Sequence, residues 1–344
     1  MKQPTQTLAF DLLYSLAAEN GREEKLFGNS IEAAAPAFER MRIGSGYPTV
    51  YLEFPLLGSP CFDMLSVYGT ANIGPDDRFA SGAGFGYGGM FRWFSSLPDK
   101  SGCSCGIELD TGSGETERAG IYFQYRSNLN YAEPFLGSVG ESARKEGFLD
   151  AVRRLPEGLP AAYVGLFPGR EGSPMRIGGY MNRGLQEAVA GNPDVLGKAF
   201  RQIGFSTFRQ DMLAFCAELM KMVPAIDFQF DLFPDGTIGD VFGLSLSFNE
   251  VKPSESAECM EKGYGAKVMQ RLQRDGLADE RWKAIAGAAY AKAVPVETDD
   301  GKEALFAALI RLNYAKIKFK AGDPMPAKFY YMTKATLLPT QEQA

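Results

Sequence analysis

The segment IDFQFDLFPDGTIGDVFGLSLSF, residues 226–248, decides how this chain is read. Ile226, Phe228 and Phe230 alternate with Asp227, Gln229 and Asp231. Beyond Phe233-Pro234-Asp235-Gly236 the alternation resumes, with Leu244, Leu246 and Phe248 set against Ser245 and Ser247. A period of two on either side of a Pro-Asp-Gly turn predicts a β-hairpin with one packed face and one polar face. The same pattern pairs 48–55 with 60–68, 104–110 with 118–126, 161–168 with 174–180 and 310–320 with 325–333, as it pairs 224–233 with 237–249. Every tip carries Gly, Pro or Asp: Leu57-Gly58-Ser59-Pro60, Asp110-Thr111-Gly112-Ser113-Gly114, Pro168-Gly169-Arg170 and Ala321-Gly322-Asp323-Pro324 complete the set.

Helical periodicity precedes the hairpins. Leu8, Leu12, Leu13 and Leu16 share a face that ends before Gly21. Ser206 caps a run in which Phe208, Met212, Phe215, Cys216 and Leu219 recur at three and four residues until Pro224 stops it. Further helices are predicted over 29–42, 87–98, 136–154, 190–203, 257–274, 279–293 and 302–309. Five such ααββ units predict an α+β fold: a closed ten-stranded antiparallel β-barrel with its helices outside. It is expected as one domain over 1–338, with a short tail at 339–344.

Parity then assigns the lumen. In a barrel coated by helices the apolar set faces outward, so the alternate set lines the interior. That places Thr49, Tyr51 and Glu53 inside from the first hairpin, and Glu108, Asp110, Tyr122 and Gln124 from the second. The third contributes Tyr163, Phe167 and Arg176; the fourth Asp227, Gln229, Asp231, Ser245 and Ser247; the last Tyr314, Lys316, Lys318, Lys328 and Tyr330. A purely structural barrel would fill this space with branched aliphatics. Asp63 fits either a luminal or an ordinary polar strand position.

Composition excludes several chemistries. The chain of 344 residues contains no histidine, which removes Ser-His-Asp, Cys-His and His-liganded metal mechanisms. Its net charge of −6 argues against a nucleic-acid or anionic-membrane surface, and no stretch approaches the roughly 20 apolar residues of a membrane span. Five cysteines, of which only Cys103 and Cys105 are close in sequence, read as reduced thiols. A cytoplasmic monomer is expected. A Gly-x-Gly-x-x-Gly match at Gly84, Gly86 and Gly89 follows a polar loop where a dinucleotide site needs a buried strand, so neither nicotinamide nor flavin is expected. That segment is expected as a mobile loop near the barrel mouth. Asp76-Asp77 lacks a third acid at Ala80, which disfavours a helical isoprenoid synthase.

Five helix-plus-hairpin units around a polar lumen resemble the prenyltransferase barrel, or ABBA fold, of soluble aromatic and cyanobactin-type peptide prenyltransferases. The residues carrying the resemblance are Glu53 on the first strand, Arg176 in the third unit, and 312–319 with 327–330 at the close of the chain. The resemblance implies transfer of an isoprenyl group from an allylic diphosphate to a nucleophilic small molecule or peptide side chain, of the kind made in ribosomal peptide modification. It implies Glu53 as the base and Arg176, Lys316, Lys328 and Tyr330 as diphosphate ligands. Such cations strengthen their hold as charge develops on the leaving group, at about 1.5–3 kcal/mol for each charge-assisted hydrogen bond. Tyr51, Tyr122, Tyr163, Phe167, Gln124 and Tyr314 would surround the substrates, the rings shielding an allylic cation.

The sequence departs from the indole-type members, whose strands repeat Lys-x-Tyr where this chain has Gly120-Ile121-Tyr122 and Arg176-Ile177-Gly178-Gly179-Tyr180. Asp110, Asp227 and Asp231 add acids that could bind an acceptor or, with Mg²⁺, assist the diphosphate. They equally suit a barrel that binds a peptide or small molecule without prenyl transfer, or that carries out another peptide modification. Lys318 and Arg170, near hairpin tips, are expected to be solvated. Arg311 has the wrong parity for the Lys316 face unless a bulge intervenes.

Overall fold

The structure is a computed structural model, and it describes residues 23–28, 49–61, 63–69, 87–97, 102–109, 120–126, 128–297 and 301–339. The predicted helices at 8–16 and 29–42, the segment around Asp76-Asp77, most of the glycine-rich stretch before Tyr87, Asp110, and 340–344 lie outside the described residues.

Strands β1 (Thr49–Pro55) and β2 (Asp63–Tyr68) form the first hairpin, and β3 (Ser104–Leu109) with β4 (Gly120–Gln124) the second. The third joins β5 (Ala161–Leu166) to β6 (Met175–Met181), and the fourth β7 (Ile226–Leu232) to β8 (Ile238–Ser247). After β9 (Tyr290–Glu297) come β10 (Glu303–Lys320), the two-residue β11 (Asp323–Pro324) and β12 (Lys328–Pro339). All ladders are antiparallel. Consecutive pairing runs from β1 to β8, β12 joins β1 to β10, and β10 returns to β8 through Tyr314↔Ser247 to Lys320↔Val241. The ring of ten strands therefore closes, leaving no open sheet edge within it.

Helices coat the outside because the outward strand residues are the apolar ones. Trp93, on the helix Tyr87–Ser96, and Phe135, on the helix Ala132–Ser138, meet the outward ring of Phe123 at 4.9 and 5.0 Å between centroids. Phe200, on the helix Asp194–Ile203, meets Phe242 at 4.5 Å. Val50, Phe54, Ile177, Phe230, Leu244, Ile317 and Phe329 are all buried in this outer core. Burying such side chains is the main force that holds the coat to the barrel, at about 1.5–3 kcal/mol each.

Two predicted helices are corrected. Residues 302–309 form the first half of β10, and 279–293 divide into a 3₁₀ helix over Glu280–Ala288 and the start of β9. Ala304, Leu305, Ala307 and Ala308 favour helix intrinsically, but pairing to β9 on one side and β12 on the other overrides that preference. Pro295 is accommodated because β9 pairs with β10 alone among the described residues. A register shift between Leu312 and Tyr314 marks Asn313 as a bulge. With this bulge Arg311, opposite Met332, and Tyr314, opposite Tyr330, both take the luminal face.

Candidate active site in the barrel lumen

The polar faces of the strands converge as their alternation requires. Tyr51, Glu53, Glu108, Tyr122, Gln124, Tyr163, Phe167, Arg176, Asp227, Tyr314, Lys316 and Tyr330 line one cavity of about 130 Å³ inside the barrel. Lys328 joins Glu53, and Asp231 joins Arg176, beside it. Leu65, Val67, Tyr180, Asn249 and Asn313 also line the cavity, although the sequence reading did not select them. Tyr180 shares the parity of Arg176 and could have been found from it; Asn313 is the bulge residue, which alternation does not mark.

Glycines make room for the rings. A β-carbon on Gly178 would collide with the phenol of Tyr163, and one on Gly120 with the ring of Phe167. A β-carbon on Gly243 would lie 2.7 Å from Cγ of Gln229. Tyr163 and Phe167 can therefore lie against the barrel wall because their cross-strand neighbours have no side chains.

The lumen has two layers. Toward the hairpin tips, the acids and bases form ion pairs. Glu53 accepts from both Lys328 and the hydroxyl of Tyr330, and Lys328 also reaches Asp63 at 3.3 Å, which places Asp63 in the lumen. Lys316 Nζ donates to the Tyr330 hydroxyl at 3.3 Å. Arg176 pairs with Asp231 and Arg170 with Glu108 at 2.7 Å, and the two guanidinium groups lie 4.4 and 4.0 Å from the centroid of Phe167. Arg170 and Lys318 thus depart from the expected solvated positions. Both are half-buried, Arg170 because an acid faces it and Lys318 because its alternation points inward.

Electrostatics follow from this packing. Burial pushes Lys316 down to about 7 and Lys318 to about 8, and neither has an ion-pair partner among the described residues. Burial would raise the Glu53 carboxyl, but Lys328 and Lys316 reverse this and hold it below the ordinary value. Glu108 is likewise drawn down, against burial, to about 2 by Arg170 and Arg176. Arg176 rises because Asp231 and Glu108 outweigh its burial.

The second layer, toward the helix-bearing ends, is aromatic. The rings of Tyr122 and Tyr163 lie tilted against each other at 5.0 Å, those of Tyr314 and Tyr330 at 4.1 Å, and Gln124 donates to the hydroxyl of Tyr180. Burial keeps Tyr122, Tyr163 and Tyr314 neutral. Asp227 lies among them, across from Tyr180 and Ser245, and burial raises it to about 7.

Mg²⁺ finds no fitting set among the described residues. Glu53, Asp63, Glu108 and Asp231 are engaged by cations of the chain, and among the described residues no three His, Cys, Asp or Glu side chains cluster as metal ligands. Nor is any described helix long and apolar enough to cross a membrane.

No protein-family model matches this chain, and no curated protein matches its sequence. Solved structures do resemble it. A 5-dimethylallyl tryptophan synthase from Streptomyces coelicolor, solved with DMASPP and Trp, aligns over 95% of this chain and 93% of its own at 12% identity, with a TM-score of 0.53. AnaPT from Neosartorya fischeri aligns over 96% and 92% at 9% identity and a TM-score of 0.52. The prenyltransferase PriB, solved with L-tryptophan and dimethylallyl thiolodiphosphate, aligns over 98% and 97% at 11% identity and a TM-score of 0.51. Identities this low speak to architecture, and on that ground the chain has the ABBA prenyltransferase-barrel fold.

Proposed function

We propose that this protein transfers an isoprenyl group from an allylic diphosphate to a nucleophilic acceptor held in the lumen. One observation carries the reading: a cationic layer of Arg170, Arg176, Lys316, Lys318 and Lys328 adjoins a tyrosine layer, with Glu53 present in the same cavity. That order suits a donor whose diphosphate lies among the cations while its allylic carbon faces the rings. As the carbon–oxygen bond breaks, the electron pair leaves on the diphosphate, where fixed cations stabilise it. The allylic cation meets the π faces of Tyr122, Tyr163 and Tyr314, each worth about 0.5–2 kcal/mol. Glu53, held ionised, then takes the acceptor's proton. A peptide side chain is the finer acceptor proposed, modified by a cytoplasmic, monomeric enzyme.

A second reading is a barrel that binds its ligand without transfer. It is favoured by the pairing of Arg170, Arg176 and Lys328 to carboxylates, which a diphosphate would have to displace. Incubation with dimethylallyl and geranyl diphosphates and a panel of aromatic, amine and peptide acceptors tests both. Prenylated product, lost by 10²-fold or more in Glu53→Gln, is expected. Absence of product together with no binding of dimethylallyl thiolodiphosphate would sink the transferase reading. Full diphosphate affinity in Lys316→Ala would remove Lys316 from the site.

A further inference from the structure

The luminal charges do not cancel uniformly. Lys328 is bound to Glu53 and Asp63, Arg170 to Glu108 and Arg176 to Asp231, while Asp227 has neither an ion pair nor a hydrogen bond among the described residues. Its nearest cation in the sheet register is Lys316, two strands away through Ser245, and the ammonium of Lys316 is turned to Tyr330. Tyr51, Tyr163, Tyr180 and Tyr314 line the same cavity as Asp227 from four different strands, and the charge of Asp227 acts on all four phenols.

A second observation concerns the same cavity. Asn313, only 3% exposed, lines it with Nδ2 lacking any partner. That NH₂ group is a donor, so it calls for an acceptor atom on the ligand away from any cationic group. An unpaired carboxylate in a cavity lined by tyrosines is complementary to an organic cation, which gains from both the charge and the rings.

We infer that the tyrosine layer is a binding site for an organic monocation, an ammonium or guanidinium group, and that the acceptor carries this charge. The inference rests on the prenyl-transfer reading for the word acceptor, whereas the cation site itself does not. In the transfer step, the bound cation gives one N–H proton to Glu53, the base proposed above, while Asp227 holds the cation in place. The freed nitrogen lone pair forms the new N–C bond as the allylic C–O bond breaks and its electron pair departs with diphosphate. Lys316 and Lys318 hold the anion and Asp227 the cation, so the two substrates would sort to opposite layers of the cavity.

Calorimetry with benzylammonium, benzylguanidinium, benzyl alcohol and benzoate, at constant ionic strength, tests the site on the intact protein. At least one cation should bind tenfold or more tightly than benzyl alcohol, with benzoate weakest once inorganic diphosphate fills the cationic layer. Asp227→Asn should bring the cation within threefold of the alcohol. Equal affinity of wild-type protein for cation and alcohol overturns the proposal without recourse to any variant, and so does a folded Asp227→Asn protein that keeps the tenfold preference. A separate titration with dimethylallyl thiolodiphosphate reports on the prenyl-transfer reading alone. Cation binding without diphosphate binding would remove that reading and leave the site standing, while the converse would do the reverse.

Discussion

Arg176 holds Asp231 through two hydrogen bonds, Nε to Oδ1 at 3.0 Å and Nη2 to Oδ2 at 3.4 Å, between residues directly opposed on β6 and β7. The arginine side chain is 7% exposed and the aspartate 16%, so removing one partner leaves the other charge poorly hydrated. Arg176→Ala is therefore expected to cost about 3–5 kcal/mol, and Arg176→Met with Asp231→Leu markedly less. Denaturant melts of the two variants check this. A double variant as unstable as Arg176→Ala would show that the loss does not come from stranding the aspartate charge.

Gly178 and Tyr163 are coupled in the same way by shape. A methyl group at 178 drives the phenol from the wall, so Gly178→Ala should lower stability by about 1–3 kcal/mol and open or block the aromatic layer. Adding Tyr163→Leu should recover part of that loss, because the colliding atoms are Cζ, Cε2 and the hydroxyl. Thermal melts of the single and double variants decide it; additive losses would refute the coupling.

Most of this lumen was legible as period-two alternation, and the limits of legibility have physical causes. Asp227, Gln229 and Asp231 declare a polar face without help, as do Lys316 and Lys318. Leu65 and Val67 do not, since an apolar luminal residue looks like an outward one. Arg311 could not be placed because the Asn313 bulge that resets parity has no local signature. Arg170 read as solvated because its burial depends on Glu108, whose partner comes from another hairpin. The helix predicted over 302–309 failed for a related reason: the partners that make it a strand lie before and after it in the chain.

Lys316 and Lys318, lowered by burial to about 7 and about 8, are partly neutral near pH 7.5. An anion bound between them would raise both, so diphosphate binding should take up protons. Titration with dimethylallyl thiolodiphosphate in buffers of different ionisation enthalpy should show uptake of roughly half to one proton near this pH, reduced in Lys316→Met. Binding with no buffer dependence would mean that neither amine meets the diphosphate.

Asp227 and Lys316 also set opposing pH dependences of stability. Asp227 is raised from 3.8 to about 7, so the folded state binds the proton more tightly; its contribution is complete below pH 4 and is lost as pH rises to about 7. Lys316 is lowered from 10.5 to about 7, so its contribution is complete above pH 10.5 and is lost as pH falls to about 7. Their combined penalty on folding is therefore greatest near neutrality. Asp227→Asn should be more stable than the parent at pH 7.5, by on the order of 2–4 kcal/mol, with the gain vanishing toward pH 4. Lys316→Met should gain at pH 7 and lose that gain toward pH 10. Urea melts across pH 4–10, taken as variant minus parent, isolate each arm from the other carboxylates. The groups facing Asp227 are Tyr51, Tyr163, Tyr180 and Tyr314, whose phenols burial keeps neutral, together with Lys316, so the acid arm belongs to Asp227. A flat difference curve for Asp227→Asn between pH 4 and 7 would show that this carboxyl titrates as an ordinary, hydrated one.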